Sequence, residues 1–476
     1  MKAQKIYSGV YTSGPSKKTD LFIMDKSMTS AENKMVYFYL LETIAHNFML
    51  AKQKLIPKQA SKKILQALKT LLGKSKTEQL INPTLGDVHE NIEHKLFEMI
   101  GDDAGWFHIA RSRNDQAVTD QKMFVKKNVL VMFGQLSHLE EILITKSKRY
   151  KSVIMPGFTH LRCAMPSSFG FWWQSYLDQI LNLHMIMKTV FETYDQCPLG
   201  AGASYGVNWK IDPLLTAQKL GFQAPFINAL SAINNRGIED AVIVGNIAVL
   251  FVIFSRMMED IIIWSMPELN YISLSEEYTT GSSIMPQKIN PDVAEKVRAK
   301  SANMIAHLNH ILVSMKGTPS GYNRDSAESK LAVTSALEES ITTVSIVCEM
   351  LKTIVPNQLI LEKAVYSTLP TKLADELVKV CGFSFRTAHN IVGKTMKLAK
   401  GDIMKINKKI FLFSIKEITG KNIGINNAFI KTVFNTKLAL AQYQYEGSPN
   451  PQCLVKSNAI LSNKISLLKD WTFSTL

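Results

Sequence analysis

Cysteine is scarce here and carries no pattern: Cys163, Cys197, Cys348, Cys381 and Cys453 are five in number, with no CxxC pair and no metal-ligand spacing. An odd, unpatterned set excludes a disulfide-stapled miniprotein and suits a reduced compartment, so the cytoplasm is the expected location. A membrane-length apolar run is missing too. The most apolar stretch, 241–254, has 14 residues between Asp240 and Arg256 and is interrupted by Asn246. That is too short to span a bilayer, and it reads as a helix buried on all sides. The opening MKAQKIYSGVYTSG holds no apolar segment that could serve as a signal peptide. Period-two strand patterns, internal repeats and low-complexity tracts are also lacking, which removes all-β, solenoid and disordered readings.

What is present is a chain of 476 residues, enough for about three domains and a sizeable core. Hydrophobic residues make up 46% and charged residues 20%, as in folded globular proteins. The 55 basic and 40 acidic residues leave a net charge of +15, which suits anionic partners. The basic residues form no arginine-rich arm and are not interleaved with stacking aromatics, which argues against nucleic acid as a partner.

Apolar positions recur at helical spacing through 33–55, 116–145, 167–193, 237–265, 292–315 and 328–355, so the fold class is all-α. Gly and Pro cluster at Gly14–Pro15, Pro156–Gly157, 198–206, 281–291 and 317–321, marking loops between helices. The expected organisation is an N-terminal helical domain over 1–110, a central long-helix bundle over 111–360, and a small helical C-terminal domain over 361–476.

Three loops that lead into helices carry polar chemistry. The first, TTGSSIMPQKINPD at 279–292, offers serines after a glycine, then Lys288 and Asn290 before a Pro-Asp helix start. Such a segment presents amide donors, an ammonium and a carboxamide to an anion, although a tight turn with good capping accounts for the same residues. The second, MPGFTHLRCAMP at 155–166, places Thr159, His160 and Arg162 at a helix entrance, where a lone histidine is usually structural. The third, ARSRND at 110–115, opens a helix with two arginines, an asparagine and a capping aspartate. Two arginines in a first turn oppose the helix dipole unless an anion is near, which favours a binding site over a solvated helix start. A helix over 113–148 is about 50 Å long, so Arg113 and His160 of one chain lie too far apart to share a site. Antiparallel packing of copies about a two-fold would bring them together, so sites composed between subunits are expected.

GSSIMPQKINP resembles the signature of the fumarase and aspartase superfamily, and DVHENIEHKLFEMIGDDAGWFHIARSRNDQ, MPGFTHLRCAMPSSFG and GTPSGYNRDSAESK resemble its argininosuccinate lyase branch, over about 87–330. The resemblance implies an all-helical subunit of three domains, a homotetramer built on a twenty-helix bundle with shared active sites, no metal, no cofactor and no membrane. It also implies elimination of fumarate from argininosuccinate, a small-molecule substrate, in arginine biosynthesis.

Carried over by motif, Ser282 is the general base, its hydroxyl made acidic by loop amides and Lys288. Lys288 and Asn290 bind the developing aci-carboxylate, and Arg113, Asn114 and Thr159 grip the substrate carboxylates. His160, paired with Glu295, serves the leaving nitrogen as acid or orienting group. Tyr322, Arg324 and Lys330 line the other side of the substrate, and Ser27 keeps the serine of an N-terminal contact. Glu295 as a plain surface residue and Tyr322 as a core aromatic are the bland alternatives.

The chain departs from the family pattern at Ala110, where glycine is usual, at Arg162 and Ala327, where glutamine is usual, and around Ala31–Glu32, where an aspartate is usual. These positions leave open a related carbon–nitrogen lyase acting on another N-substituted aspartate. A catalytically inactive structural or nucleic-acid-binding protein is the alternative of another class. His89 is expected near the substrate. His307 and His310, three apart on a helix without an apparent acidic partner, are expected to be structural.

Overall fold

The computed structural model describes residues 16–425 and 427–475; Gly14–Pro15 and the opening segment lie outside the described residues. The all-α expectation holds. Four helices lead the chain: α1 (Lys17–Ile23), α2 (Lys26–Lys52), α3 (Lys58–Lys74) and α4 (Val88–Ile100). The middle contains α5 (Arg113–Arg149), α6 (Phe169–Thr193), α7 (Pro213–Lys219), α8 (Ala229–Asn234), α9 (Ile238–Ser265), α10 (Asp292–Met315) and α11 (Asp325–Thr353). After them come α12 (Gln358–Val365), α13 (Leu369–Cys381), α14 (Phe385–Leu398), α15 (Lys408–Thr419), α16 (Asn427–Val433) and α17 (Pro451–Thr475).

Local chemistry explains where the long helices begin. Ser112 and Asp115 form a reciprocal capping box at the start of α5, and Lys146, Lys148 and Arg149 stand in its last turn, where cations suit the dipole. Ser168 accepts the Phe171 amide to start α6. Two glycines are required by close approach. A β-carbon on Gly170 would sit 2.6 Å from the Lys151 backbone, and one on Gly237, whose φ is +81°, would sit 2.6 Å from Met315.

Side-chain ties fix helix directions. Lys146, near the end of α5, donates to the carbonyls of Lys352 and Ile354 at 2.7 and 2.9 Å, closing the end of α11. Lys330, near the start of α11, reaches Glu32 of α2. Thus α11 runs parallel to α5. The end of α9 meets the start of α10 through Glu259 and Arg298 at 2.6 Å, so these two run antiparallel. Trp264, at the end of α9, packs at 4.9 Å on Trp172, at the start of α6. Trp172 and Tyr176 both donate to Asp260 Oδ2 at 2.9 Å beside the aromatic cluster.

One continuous hydrophobic core runs from Met24 through the long helices to Leu468. The N-terminal helices share it with the bundle, and α17 returns to it: Asn458 is tied to Ser147 at 3.1 Å and to Gln174 at 2.7 Å. A separate, smaller core joins Leu373 and Leu377 of α13, Ile391 of α14, and Phe411 and Ile415 of α15.

Two expectations differ from the structure. The 155–166 segment is a β-hairpin, with β1 (Ile154–Thr159) antiparallel to β2 (Arg162–Ser168) and a register irregularity between Pro156 and Phe158. Its two-residue turn is His160–Leu161, with φ of +52° and +57°, a conformation that glycine or asparagine usually signals. The helix around 241–254 is not buried on all sides. Val249 and Val252 are 51% and 43% exposed, because among the described residues of one chain no element covers that face of α9. By length and composition α9 and α11 are both apolar enough to cross a membrane, and both lay one face into the main core.

Candidate functional site

The residues singled out in the sequence fall at two opposite ends of the bundle. Ser27, Arg113, Asn114, Tyr322, Arg324 and Lys330 gather where α5 and α11 begin. Thr159, His160, Ser282, Lys288, Asn290 and Glu295 lie where α5 ends. The 37 residues of α5 span about 55 Å, so one chain holds two half-sites that cannot meet.

At the near end, α5 presents Arg113 and the half-buried Asn114 just inside its cap. Arg113 is paired with Asp87, the residue that caps α4, and with Glu90 at 3.2 Å. The anion that the first turn of α5 demands is therefore supplied by the chain itself, and Arg113 meets any substrate from within an ion pair. Burial pushes the Asp87 carboxyl up, but its bonds to His89 and Arg113 outweigh it and hold the carboxyl well below its usual range.

His89 is buried between two carboxylates, 3.3 Å from Asp87 and 3.9 Å from Asp120, and edge-on to Tyr39. Arg324, which is exposed, donates to the Ile23 carbonyl at 3.2 Å and lines a cavity with Arg113, Asp87 and Glu90. Ser27 stands exposed in the first turn of α2, above the Asp25 cap.

Tyr322 is half-buried over Arg236, whose guanidinium carbon is 5.3 Å from the ring centre. Burial raises the phenol, but Arg236, Lys330 and Arg324 outweigh it and bring its pKa below the ordinary value. Arg236 itself is held by Gln121 at 3.1 Å, and Gln121 by Asp240 at 2.6 Å. Lys330 is 2% exposed and bonded to Glu32 at 2.7 Å. Glu32, one of the departures from the family pattern, is thus the structural partner of Lys330.

At the far end, Thr280–Gly281 pairs antiparallel with Ile289–Asn290. That pairing closes the loop, with Ser282 directly after the Gly281–Ile289 rung and Lys288 directly before it. Ser282 Oγ accepts the amides of Ile284 and Met285 at 3.3 and 3.1 Å, donors that favour negative charge on that oxygen. Thr280 donates to Asp292 at the start of α10 and anchors the loop there. Lys288 is exposed and Asn290 half-buried. Thr159 and His160 are exposed at the hairpin tip, with Arg162 paired across from Thr159.

Glu295 is exposed on the first turn of α10, 3.9 Å from Arg298. Among the described residues of one chain no ion pair joins it to His160. Ala110, where glycine was the expected type, does adopt the left-handed φ of +60°.

Several site residues escaped the sequence reading. Asp87, Glu90, Asp120 and Arg236 belong to motifs or helices whose spacing gives no hint of the charges they meet. Only Asp87, a helix cap beside His89, carried a local signal. His307 also differs from expectation: Glu339 on α11 lies 3.6 Å from its Nε2. Among the described residues no group of three or more His, Cys, Asp and Glu has the geometry to hold a metal ion.

Chemically, one end offers fixed cations and amides for carboxylates, and the other a hydroxyl in an amide-lined loop beside an ammonium. Comparison with known proteins agrees with that division. Residues 16–306 match the lyase family model, and residues 367–419 match the model for the argininosuccinate lyase C-terminal segment. An argininosuccinate lyase of Ehrlichia canis (strain Jake) is 36% identical over 431 residues, covering 88% of this chain and 90% of that protein. Argininosuccinate lyase 1 of Mesorhizobium japonicum is 33% identical over 426 residues, covering 89% and 90%.

Among solved structures, EDDS lyase in complex with formate shares the fold with a TM-score of 0.81 at 23% identity, over 97% of this chain and 93% of that one. A class II fumarase from Schistosoma mansoni does so with 0.76 at 16% identity, over 90% and 96%. With two family models matched in order and relatives above 30% identity along most of its length, the chain belongs to the argininosuccinate lyase family.

Proposed function

We propose that this chain is an argininosuccinate lyase, splitting argininosuccinate into arginine and fumarate as a step of arginine biosynthesis. The observation that carries the reading is the 279–292 loop: a serine oxygen receiving two amide hydrogens, in a loop closed by a strand pair that Ser282 follows and Lys288 precedes.

The difficult step is removal of a weakly acidic C–H proton next to a carboxylate that must take on more negative charge. Ser282, ionised within its amide cradle, takes that proton. Lys288 and Asn290 hold the charge that develops on the carboxylate. The electron pair then forms the carbon–carbon double bond as the carbon–nitrogen bond breaks, and the nitrogen is protonated by a group of His160 type. Arg113 and Asn114, with Thr159 and Tyr322, orient the carboxylates, and Arg324 and Ser27 border them.

Because these groups sit at opposite ends of each chain, working sites draw residues from different copies, in the homotetramer that the resemblance to the family implies. The open face of α9, with Val249 and Val252, supports such packing. The five cysteines are all free, in keeping with a reducing, cytoplasmic setting.

Incubation of purified protein with argininosuccinate, followed by the absorbance of fumarate, tests the reading; no fumarate at high protein concentration rejects it. A second reading retains the chemistry but changes the amine. It is favoured by Arg162, exposed beside the hairpin tip where the leaving group is handled, and by the short Ala327 side chain. Faster turnover of another N-substituted aspartate in the same assay would select it.

A further inference from the structure

Asp115 does more than cap a helix. Its Oδ1 accepts the Ser112 amide at 2.8 Å and completes the cap of α5. Its Oδ2 accepts two further amides, those of Gly200 and Gly202, each at 2.9 Å. The carboxylate is fully buried, and no water is needed to fill its acceptors. It therefore ties a loop 85 residues downstream to the residue that follows Asn114.

That loop, 198–206, combines two internal backbone bonds, Ala201 to Pro198 at 3.1 Å and Gly206 to Ala201 at 2.8 Å, with an unusual run of backbone angles. Gly200, Gly202 and Gly206 have φ of +106°, +60° and +84°, and Ser204, although not glycine, has +77°. Four left-handed residues in seven give a backbone of low intrinsic preference, which bonds from outside the loop help to hold. The Asp115 clamp supplies two of them, and a bridge between Gly202 and Gly206 closes the turn.

The clamped loop faces the near-end half-site. Ala201 is buried with Val118 of α5 and Ile233 of α8, and Tyr322 packs against this cluster. A β-carbon on Gly321 would lie 3.7 Å from Ser204 Oγ, so the loop and the Gly321–Tyr322 turn are in contact range. One carboxylate thus links the start of α5, which bears Arg113 and Asn114, to the wall on which Tyr322 rests.

We propose that Asp115 is a positioning residue: it fastens the 198–206 loop to the start of α5, and so sets Asn114 and Tyr322 at a fixed separation for the substrate. This rests on the lyase reading for what the half-site binds, but the clamp itself does not. Burial pushes the Asp115 carboxyl up to about 6, against the pull of its three amides and Arg111, so the clamp is ionised at neutral pH.

The test compares the full-length protein with Asp115→Asn and Asp115→Glu. A carboxamide has one acceptor oxygen and turns an NH2 toward amide donors, so it loses either the cap or the loop. Glutamate retains both oxygens on a longer stem. Hydrogen exchange of the 199–206 segment and steady-state kinetics of fumarate release are measured together. In Asp115→Asn, exchange of 199–206 accelerates about ten-fold or more while the middle of α5 is unchanged. KM for argininosuccinate rises by about ten-fold or more, with a smaller fall in kcat. Asp115→Glu recovers part of both.

A loss of kcat alone, with exchange of 199–206 unaltered, overturns the proposal. The wild-type protein adds an arm that does not depend on the variants folding. Its 199–206 amides are expected to exchange as slowly as the start of α5, and exchange as fast as the open 283–288 segment overturns the clamp. Slow exchange there in a protein that releases no fumarate refutes the lyase reading and leaves the clamp standing.

Discussion

Lys330→Met separates a buried structural cation from a substrate ligand. Lys330 is 2% exposed and bonded to Glu32, itself 5% exposed, at 2.7 Å. Burial alone lowers an ammonium, but Glu32 and Asp120 together raise Lys330 above its ordinary value. Removing the lysine leaves two carboxylates in a low-dielectric pocket with no cation between them. Breaking a buried pair in this way costs about 3–5 kcal/mol. Glu32→Gln is milder, because Lys330 still faces Asp120 and retains an amide oxygen; loss of one charged hydrogen bond there costs about 1.5–3 kcal/mol. Lys330→Met combined with Glu32→Leu recovers part of the loss, since the Glu32 charge goes with the lysine and only Asp120 is left without it. Urea unfolding followed by circular dichroism at pH 7 gives the three values. A Lys330→Met protein with near wild-type stability and abolished substrate binding would refute the structural assignment and return Lys330 to the cavity wall.

Other outcomes follow from the same geometry. Ser282→Ala should lower kcat by about 10²–10⁴-fold while KM changes little, measured by fumarate release; unchanged turnover removes serine from the base role. His46 is buried, its Nε2 is 2.7 Å from the Ile109 carbonyl, and burial followed by Arg111 holds its pKa at about 3. From pH 6.5 downward the unfolded chain gains a proton that the folded chain refuses, so stability is lost as the pH falls toward 3. At pH 5 this amounts to about 2 kcal/mol. His46→Gln retains a donor for Ile109 and should lose about 2 kcal/mol less than wild type between pH 7 and pH 5; parallel pH profiles would contradict the assignment.

The long helices were legible because capping residues and apolar periodicity are local. Ser112, Asp115 and Ser168 mark their starts within a few residues. The loop motifs were legible for the same reason. Ser282, Lys288 and Asn290 lie within nine positions, and one short strand pair closes the loop that carries them. The β-hairpin was hidden because its turn residues, His160 and Leu161, adopt left-handed angles that their side chains do not announce. The ion pairs were hidden because they join distant segments: Glu32 with Lys330 across 298 positions, and Arg113 with carboxylates of another helix. Arg113 illustrates the difference: the dipole conflict correctly demanded an anion, and the fold met that demand from within. The separation of Arg113 from His160, by contrast, followed from helix length alone and needed no contact information.

The claim on which the rest stands is that the two half-sites of different copies combine into one working centre. Arg113→Ala and Ser282→Ala proteins, each inactive alone, are mixed under conditions that exchange subunits, and fumarate release is followed. A site drawing Ser282 from one chain and Arg113 from another is native in about one quarter of random assemblies, so activity should return toward about a quarter of the wild-type level. Activity that stays at the level of the separate variants, with exchange of subunits verified by mass, would contradict the account.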